Sequence, residues 1–296
     1  MKKAMNKLLN KKWFSVLFWI VLIIIVWEIA ACIVASNRRT PENVLPHLYQ
    51  IVQAAISTEA VSNGMTATMI VLTSARATVL RALLGFLIGT AVGFLLALIM
   101  KISGICEKLL FPYLMLIQLI PILGLAPIIL AMTGDINVSR VVIAAIMSFY
   151  PVATNTLAGL KSVPQEKYDL MYTYAAKQKT MYTKVLLPTC IPYFFTGTKI
   201  AAPMAITASI LVDTLQGDGG LGCMLSQSLK HAISIYVFWL IVFFSAFIGI
   251  FSTFLMSLIE KLVSPEQRLI RKFKRQNKKQ LALAAGSAAA AGGGKA

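Results

Sequence analysis

The chain has 296 residues, a formal net charge of +17 and a 58% hydrophobic composition, with a mean hydropathy of +0.76. Disorder needs low hydrophobicity, and an ordinary soluble domain carries about 25% charged residues against 13% here, so both are excluded. A membrane protein and a nucleic-acid binder with an apolar core remain, and the placement of the 28 Lys and Arg residues decides between them.

Taken in chain order, the first element is an apolar run over 13–35 whose single charge is Glu28, preceded by Lys2, Lys3, Lys7, Lys11 and Lys12. A bilayer core needs about 20 mostly apolar residues per helix. The run exceeds the roughly 7–15 apolar residues of a signal peptide and lacks a small-residue cleavage site, so it predicts a retained first helix. Further spans are predicted at 78–100, 109–132, 139–160, 192–215 and 235–263. Six helices put both termini on one side. With that side cytoplasmic, the segments 1–12, 101–108, 161–190 and 261–296 hold 21 of the 28 basic residues. The outer segments hold five (Arg38, Arg39, Arg76, Arg140 and Lys230), which is the positive-inside pattern. The charge therefore marks orientation and anionic lipid, not nucleic acid. The expected fold is all-α and polytopic: a basic tail over 1–12, a transmembrane domain over 13–265, and a basic tail over 266–296. That tail ends in an Ala/Gly-rich stretch that reads as a linker or low-complexity segment.

Within the spans, Gly85, Gly89 and Gly93 form a small-xxx-small ladder, which lets helix backbones approach closely in lipid. Packing inside one subunit and contact between subunits both satisfy it. Pro112, Pro121 and Pro127 interrupt the third span, Pro151 the fourth and Pro203 the fifth. Such breaks are tolerated where neighbours or a cavity satisfy the freed carbonyls. With Gln118, Asn155, Thr207 and Ser209 they outline a candidate path for a polar solute.

Among the intramembrane charges, Arg81, Lys199 and Glu260 lie near predicted span ends, and snorkelling is the expected solution there. Glu28 is expected to pair or cap at the outer end of the first helix, and Asp213 to orient the outer loop 216–233 for gating or docking. His47 and His231 lie far apart, while Cys32, Cys106, Cys190 and Cys223 are isolated and read as packing residues. The sequence has no zinc CxxC pair, Walker loop, GxGxxG or HExxH, so nothing in it points to catalysis or a bound metal.

Residues 161–190 are too polar to span and too well patterned to be slack. Tyr168, Met171, Tyr172, Ala175 and Ala176 recur at helical spacing, Lys177, Gln178 and Lys179 open a turn, and a second amphipathic piece ends at Pro188. Two short helices with a polar elbow make a knob suited to a partner's groove; a helix lying on the membrane surface is the other reading.

This loop resembles that of the membrane subunit of bacterial binding-protein-dependent ABC importers, in particular the nitrate/sulfonate/taurine group of permeases. That family carries Glu-Ala-Ala, a Gly six residues after the Glu, and then Leu-Pro. Counting back from Leu187-Pro188 sets Ala175 at the Gly and Asp169-Leu170-Met171 at Glu-Ala-Ala; the carboxylate is kept, and Leu170, Met171 and Ala175 depart. Trp27-Glu28, Val163-Pro164, the segment 188–201, and Asp213 followed by Gly219-Gly220-Leu221-Gly222 are similar to the same family. Thr133-Gly134-Asp135-Ile136 matches only loosely its Phe-Gly-x-Gly.

The resemblance implies a homodimer or paired permease in the bacterial inner membrane, with two cytoplasmic ATPase subunits that hold ATP and Mg and an extracytoplasmic solute-binding protein. It assigns coupling to a helix between spans four and five, at Ala175, Ala176, Lys177, Gln178 and Lys179, with Asp169 and Pro188 shaping the knob. Asp169 is expected to cap or to pair with Lys167, Lys177 or Lys179, while Asp213, Gly219 and Gly220 are placed at the outer gate. The solute expected is small and anionic or zwitterionic. A secondary transporter or channel would need no ATPase, and inverted repeats or midplane ion sites would mark it; neither is found. A membrane anchor fits poorly with spans so rich in proline.

Overall fold

The computed structural model describes residues 12–37, 43–62, 64–216, 219–230 and 233–264. The basic tails, apart from Lys12, lie outside the described residues. The elements are α1 (Lys12–Asn37), α2 (Leu48–Ile56), a hairpin of β1 (Ala60–Ser62) and β2 (Met65–Thr66), α3 (Ala67–Ile102), α4 (Gly104–Leu119), α5 (Ile122–Thr133), α6 (Ile136–Lys161), α7 (Gln165–Thr173), α8 (Gln178–Met181), α9 (Leu187–Gln216), α10 (Leu221–Leu229) and α11 (Ile235–Val263). The strands pair antiparallel, Ala60 opposite Thr66.

Five helices among the described residues are long and apolar enough to cross a bilayer; α4 and α5 make a sixth if their bent pair is one span. The third predicted span is thus not one rod. The chain turns by 110° between its halves, and Ile120 and Pro121 are extended. Of three prolines, only Pro121 breaks the helix; Pro112 and Pro127 remain inside α4 and α5. A proline costs little where a helix is starting and costs most in its interior, so the break falls where a new helix opens. Gly134, in the left-handed region at φ 68°, ends α5, and the Asp135 side chain accepts from the Val138 amide to start α6.

The second predicted span also begins early, since α3 starts at Ala67 and runs for 36 residues. Its first turns mix Thr68, Thr73, Ser74 and Arg76 with apolar residues. Thr73, exposed, donates back to the Met69 carbonyl, so its hydroxyl has a partner within the helix.

The described residues form two units, within 12–78 with 213–246, and within 79–212 with 247–264. In the first, Trp27 on α1 is edge-on to Trp239 at 4.9 Å and donates its indole N–H to the Pro46 carbonyl at 3.1 Å. Glu28 beside it accepts from the Leu48 amide at 2.9 Å, capping α2, and meets His47 Nδ1 at 2.7 Å. The pairing and capping expected of Glu28 are both present. The rest of α1 is exposed and apolar from Val16 to Val26, the pattern of a helix solvated by hydrocarbon.

In the second unit the core mixes alanines with leucine, methionine and valine side chains between helices. Ala97, Met100, Leu114, Ala153, Leu157 and Leu160 form one cluster; Ala144, Val152, Ala201, Ala202 and Ala205 form another. Membrane helices gain little from excluding water against one another, so tight backbone approach supplies the packing. A Cβ at Gly85, Gly89 or Gly93 would come within 2.5 Å of α6 atoms, two of them carbonyl oxygens. The ladder faces a helix of the same chain. Gly159 and Gly197 make the same kind of contact between α6 and α9.

Candidate functional site

The loop 161–190 begins where Pro164 sets the N-terminus of α7, and Val163 beneath it is buried. Along α7, Tyr168 and Met171 turn inward while Leu170 and Tyr172 stay exposed, Tyr172 at 88%. Tyr168, Met181 and Tyr182 pack on the cluster of Met100, Leu160 and Leu186, and Lys101 places its ammonium 5.6 Å from the Tyr168 ring. The loop is therefore anchored through one face and presents Leu170, Tyr172 and Tyr174 on the other.

The elbow is made by Ala175, at φ +48° the one non-glycine residue in the left-handed region among the described residues. Its amide donates to the Tyr172 carbonyl, and Ala176 N donates to the Met171 carbonyl at 3.0 Å, closing the helix end. Such a helix end ordinarily takes glycine, which gives a physical reason for the family's Gly at this point of the loop. Ala175, Lys177, Gln178 and Lys179 are exposed and Ala176 is half-buried. A cavity of about 380 Å³ lies under the elbow, lined by Lys101, Tyr168, Asp169, Ala176, Gln178 and Met181 among others.

Two expectations for this loop need correction. Asp169 takes no lysine: its carboxylate accepts from the Gln165 amide, one turn earlier, at 3.1 Å. The second helical piece does not end at Pro188. It passes from α8 through a π-turn over Tyr182–Leu186 into α9, so 178–215 is one apolar rod. Pro188 has no amide to give the Lys184 carbonyl, and its ring crowds that turn. The widened turn immediately before it is the accommodation.

At the other end of α9, Asp213 is fully buried. Its Oδ2 accepts from the Thr78 hydroxyl at 2.7 Å, and the Thr78 oxygen accepts from the Leu221 amide at 2.9 Å. Gly219 and Gly220 have φ +70° and +98°. A Cβ at Gly220 would lie 2.1 Å from Asp213 Oδ2, so that backbone approach requires glycine. Asp213 and Gly220 are thus adjacent, while Thr78, which joins them to α10, passes in the sequence as an ordinary residue of an apolar run.

The four candidate path residues lie on α4, α6 and α9. Gln118 and Thr207 are exposed, the Asn155 amide is bonded to the Pro151 carbonyl at 2.8 Å, and Ser209 is fully buried. Snorkelling fails for Lys199 and Glu260, which pair at 2.6 Å, 61 residues apart. A partner in reach stabilises both charges better than a long reach to the interface does. Arg140, counted above with the outer loops, is fully buried on α6. Pro203 cannot donate to the Lys199 carbonyl, and the Thr253 hydroxyl approaches that oxygen at 3.5 Å.

Long apolar helices with proline breaks, glycine-lined contacts and an anchored polar loop define a multi-pass membrane protein. The fold is that of chains in solved ABC transporters. It is similar to a chain in inward-facing conformations of the MetNI methionine ABC transporter, with TM-score 0.57, 15% identity and coverage of 67% of this chain and 99% of that one. A chain in the crystal structure of an amino acid ABC transporter with histidines gives TM-score 0.56, 20% identity and coverage of 66% and 95%.

Residues 89–265 match the family described as binding-protein-dependent transport system inner membrane component, and the chain belongs to that family. It is 29% identical over 208 residues to the formylaminopyrimidine transport permease protein ThiX of Halalkalibacterium halodurans, covering 70% of this chain and 77% of that protein. It is 24% identical over 248 residues to the nitrate import permease protein NrtB of Synechococcus elongatus, covering 82% and 87%. With the putative aliphatic sulfonates transport permease protein SsuC of Bacillus subtilis it shares 25% over 183 residues, covering 62% and 66%. The relatives are permease subunits, in keeping with a chain that carries no Walker loop.

Proposed function

We propose that this chain forms, as one of a pair of permeases, the path by which a small anionic or zwitterionic solute enters a bacterial cell, driven by two separate ATPase subunits that hold ATP and Mg. The anionic class rests on the relatives named for nitrate and for sulfonates. The relative named for formylaminopyrimidine supports a polar heterocycle as the second reading.

The loop 161–190 carries the coupling. The observation that supports this most is its build: one face anchored through Tyr168, Met181 and Tyr182, the other offering exposed Leu170, Tyr172 and Tyr174 beside the Ala175 elbow. Exposed aromatics on a fixed helix suit a groove in a partner. In this reading Ala175, Ala176, Lys177, Gln178 and Lys179 meet the ATPase, Asp169 stiffens α7 through Gln165, and Pro188 sets the widened turn. The loop reports which state of the cavity the nucleotide favours, since ATP shifts the equilibrium only by binding one state better. Thr207 and Gln118, exposed on single helices, line the path where a second permease faces them. Both termini, with their lysines and arginines, lie in the cytoplasm, as the charge bias requires.

Reconstitution with the ATPase and binding protein in proteoliposomes tests the reading. The expected result is uptake that needs ATP and the loaded binding protein. Uptake in the absence of the ATPase would overturn it in favour of a secondary transporter. A ligand screen on the binding protein with nitrate, alkyl sulfonates and aminopyrimidines separates the two solute classes.

A further inference from the structure

We propose that Thr78 is a positioning residue for transport: its hydroxyl latches Asp213 to the N-terminus of α10 and so fixes the outer loop in the state that answers the loaded binding protein. The role rests on the import function proposed above. Three elements meet at this side chain. Thr78 lies on α3 and Asp213 on α9, both fully buried, and Leu221 is the first residue of α10.

A hydroxyl has one proton and two lone pairs. The proton goes to Asp213 Oδ2 at 2.7 Å; the Ser74 carbonyl, at 3.3 Å, is the longer and weaker alternative. A lone pair takes the Leu221 N–H at 2.9 Å, one of the donors that a helix start leaves without a partner. The carboxylate thus acts on the positive end of α10 through one intervening hydroxyl. Gly219 and Gly220 are both at positive φ, and at Gly220 the chain lies so close to the carboxylate that a side chain has no room. The loop is built on Asp213, and Thr78 ties that assembly to α3.

Stability alone does not call for this arrangement. Buried polar groups replaced together by apolar groups of the same shape are often neutral in energy. What the hydroxyl adds is a directional link that either is made or is broken, as a two-state outer gate requires.

The test uses the full permease with its ATPase and binding protein in proteoliposomes, comparing wild type, Thr78→Val and Thr78→Ser. Thr78→Val takes one hydrogen bond from Asp213 and one from the Leu221 amide, so its unfolding temperature should fall, while basal ATP hydrolysis of the assembled complex stays within about twofold. The increment in hydrolysis evoked by loaded binding protein, and uptake with it, should fall about tenfold, within the usual range of coupling between sites. Thr78→Ser should restore both. A Thr78→Val protein with a wild-type increment overturns the latch, and so does one whose basal hydrolysis and yield fall in step with uptake. Should Thr78→Val not assemble, Asp213→Asn, of the same size without the charge, reads the same increment: a tenfold fall supports the latch, and no change overturns it. If the wild type shows no ATP-dependent uptake, the import reading fails and takes this role with it. Wild-type uptake beside an unaltered Thr78→Val fails the latch alone.

Discussion

Replacing Gly89 with alanine asks whether backbone contact holds α3 against α6. The added Cβ would sit 2.5 Å from the Ala145 carbonyl oxygen and 2.7 Å from the Ser148 Cβ, where ordinary contact begins at 3.4 Å. Neither neighbour is the free end of a flexible chain, so α3 must retreat by the better part of an ångström. That retreat also opens the contacts of Gly85 and Gly93 with the same helix, each as close as 2.5 Å. Overpacking of this kind costs about 1–3 kcal/mol, and alanine's better helix propensity returns up to about 1 kcal/mol. The net is a loss of about 1 kcal/mol, visible as a lower unfolding temperature of the purified protein in detergent. Gly104→Ala is the matched control, because nothing lies within 4 Å of a Cβ there. A Gly89→Ala protein as stable as wild type, or more so, would refute the reasoning.

Four other substitutions probe three separate features. Ala175→Gly removes the left-handed strain at φ +48°; that strain is worth about 1–2 kcal/mol, part of it offset by glycine's entropy. The variant should be more stable by about 0.5–1 kcal/mol, and slower hydrogen exchange at the Ala176 and Lys177 amides would show it. Ala176→Arg puts a bulky charge at the half-buried step of the elbow, and ATP hydrolysis should continue while uptake falls; wild-type uptake would count against the coupling assignment. Lys199→Met and Glu260→Leu each orphan a charge whose partner stands 2.6 Å away. Each single change should cost about 3 kcal/mol and the double change far less, as read by thermal unfolding of all four proteins.

The spans were legible because hydrocarbon admits only long apolar helices, and 235–263 was read to the residue. What escaped depends on groups far apart in sequence. Three prolines in the third span look alike until Pro121 is seen to open a new helix. Lys199 near a span end reads as a snorkelling residue until Glu260 is found within reach. Asp213 drew notice as an intramembrane carboxylate, yet Thr78, 135 residues away, gave no signal, since threonines are common in such helices. The elbow was half legible. The family's Gly marked Ala175, and only the backbone showed that the residue there adopts the conformation that glycine would favour.

The π-turn that joins the loop to α9 has a mechanical meaning. Residues 178–215 form one rod of 38 residues, about 57 Å at the rise of a helix. One tip is the elbow, and the other lies next to Asp213. Pro192 and Pro203 lie within the rod, and each removes one backbone hydrogen bond. A further departure from regular helix is the widened turn at Tyr182–Leu186, where one residue too many is accommodated. In the coupling proposed above, that turn lies near the loop end of the helix and far from Asp213.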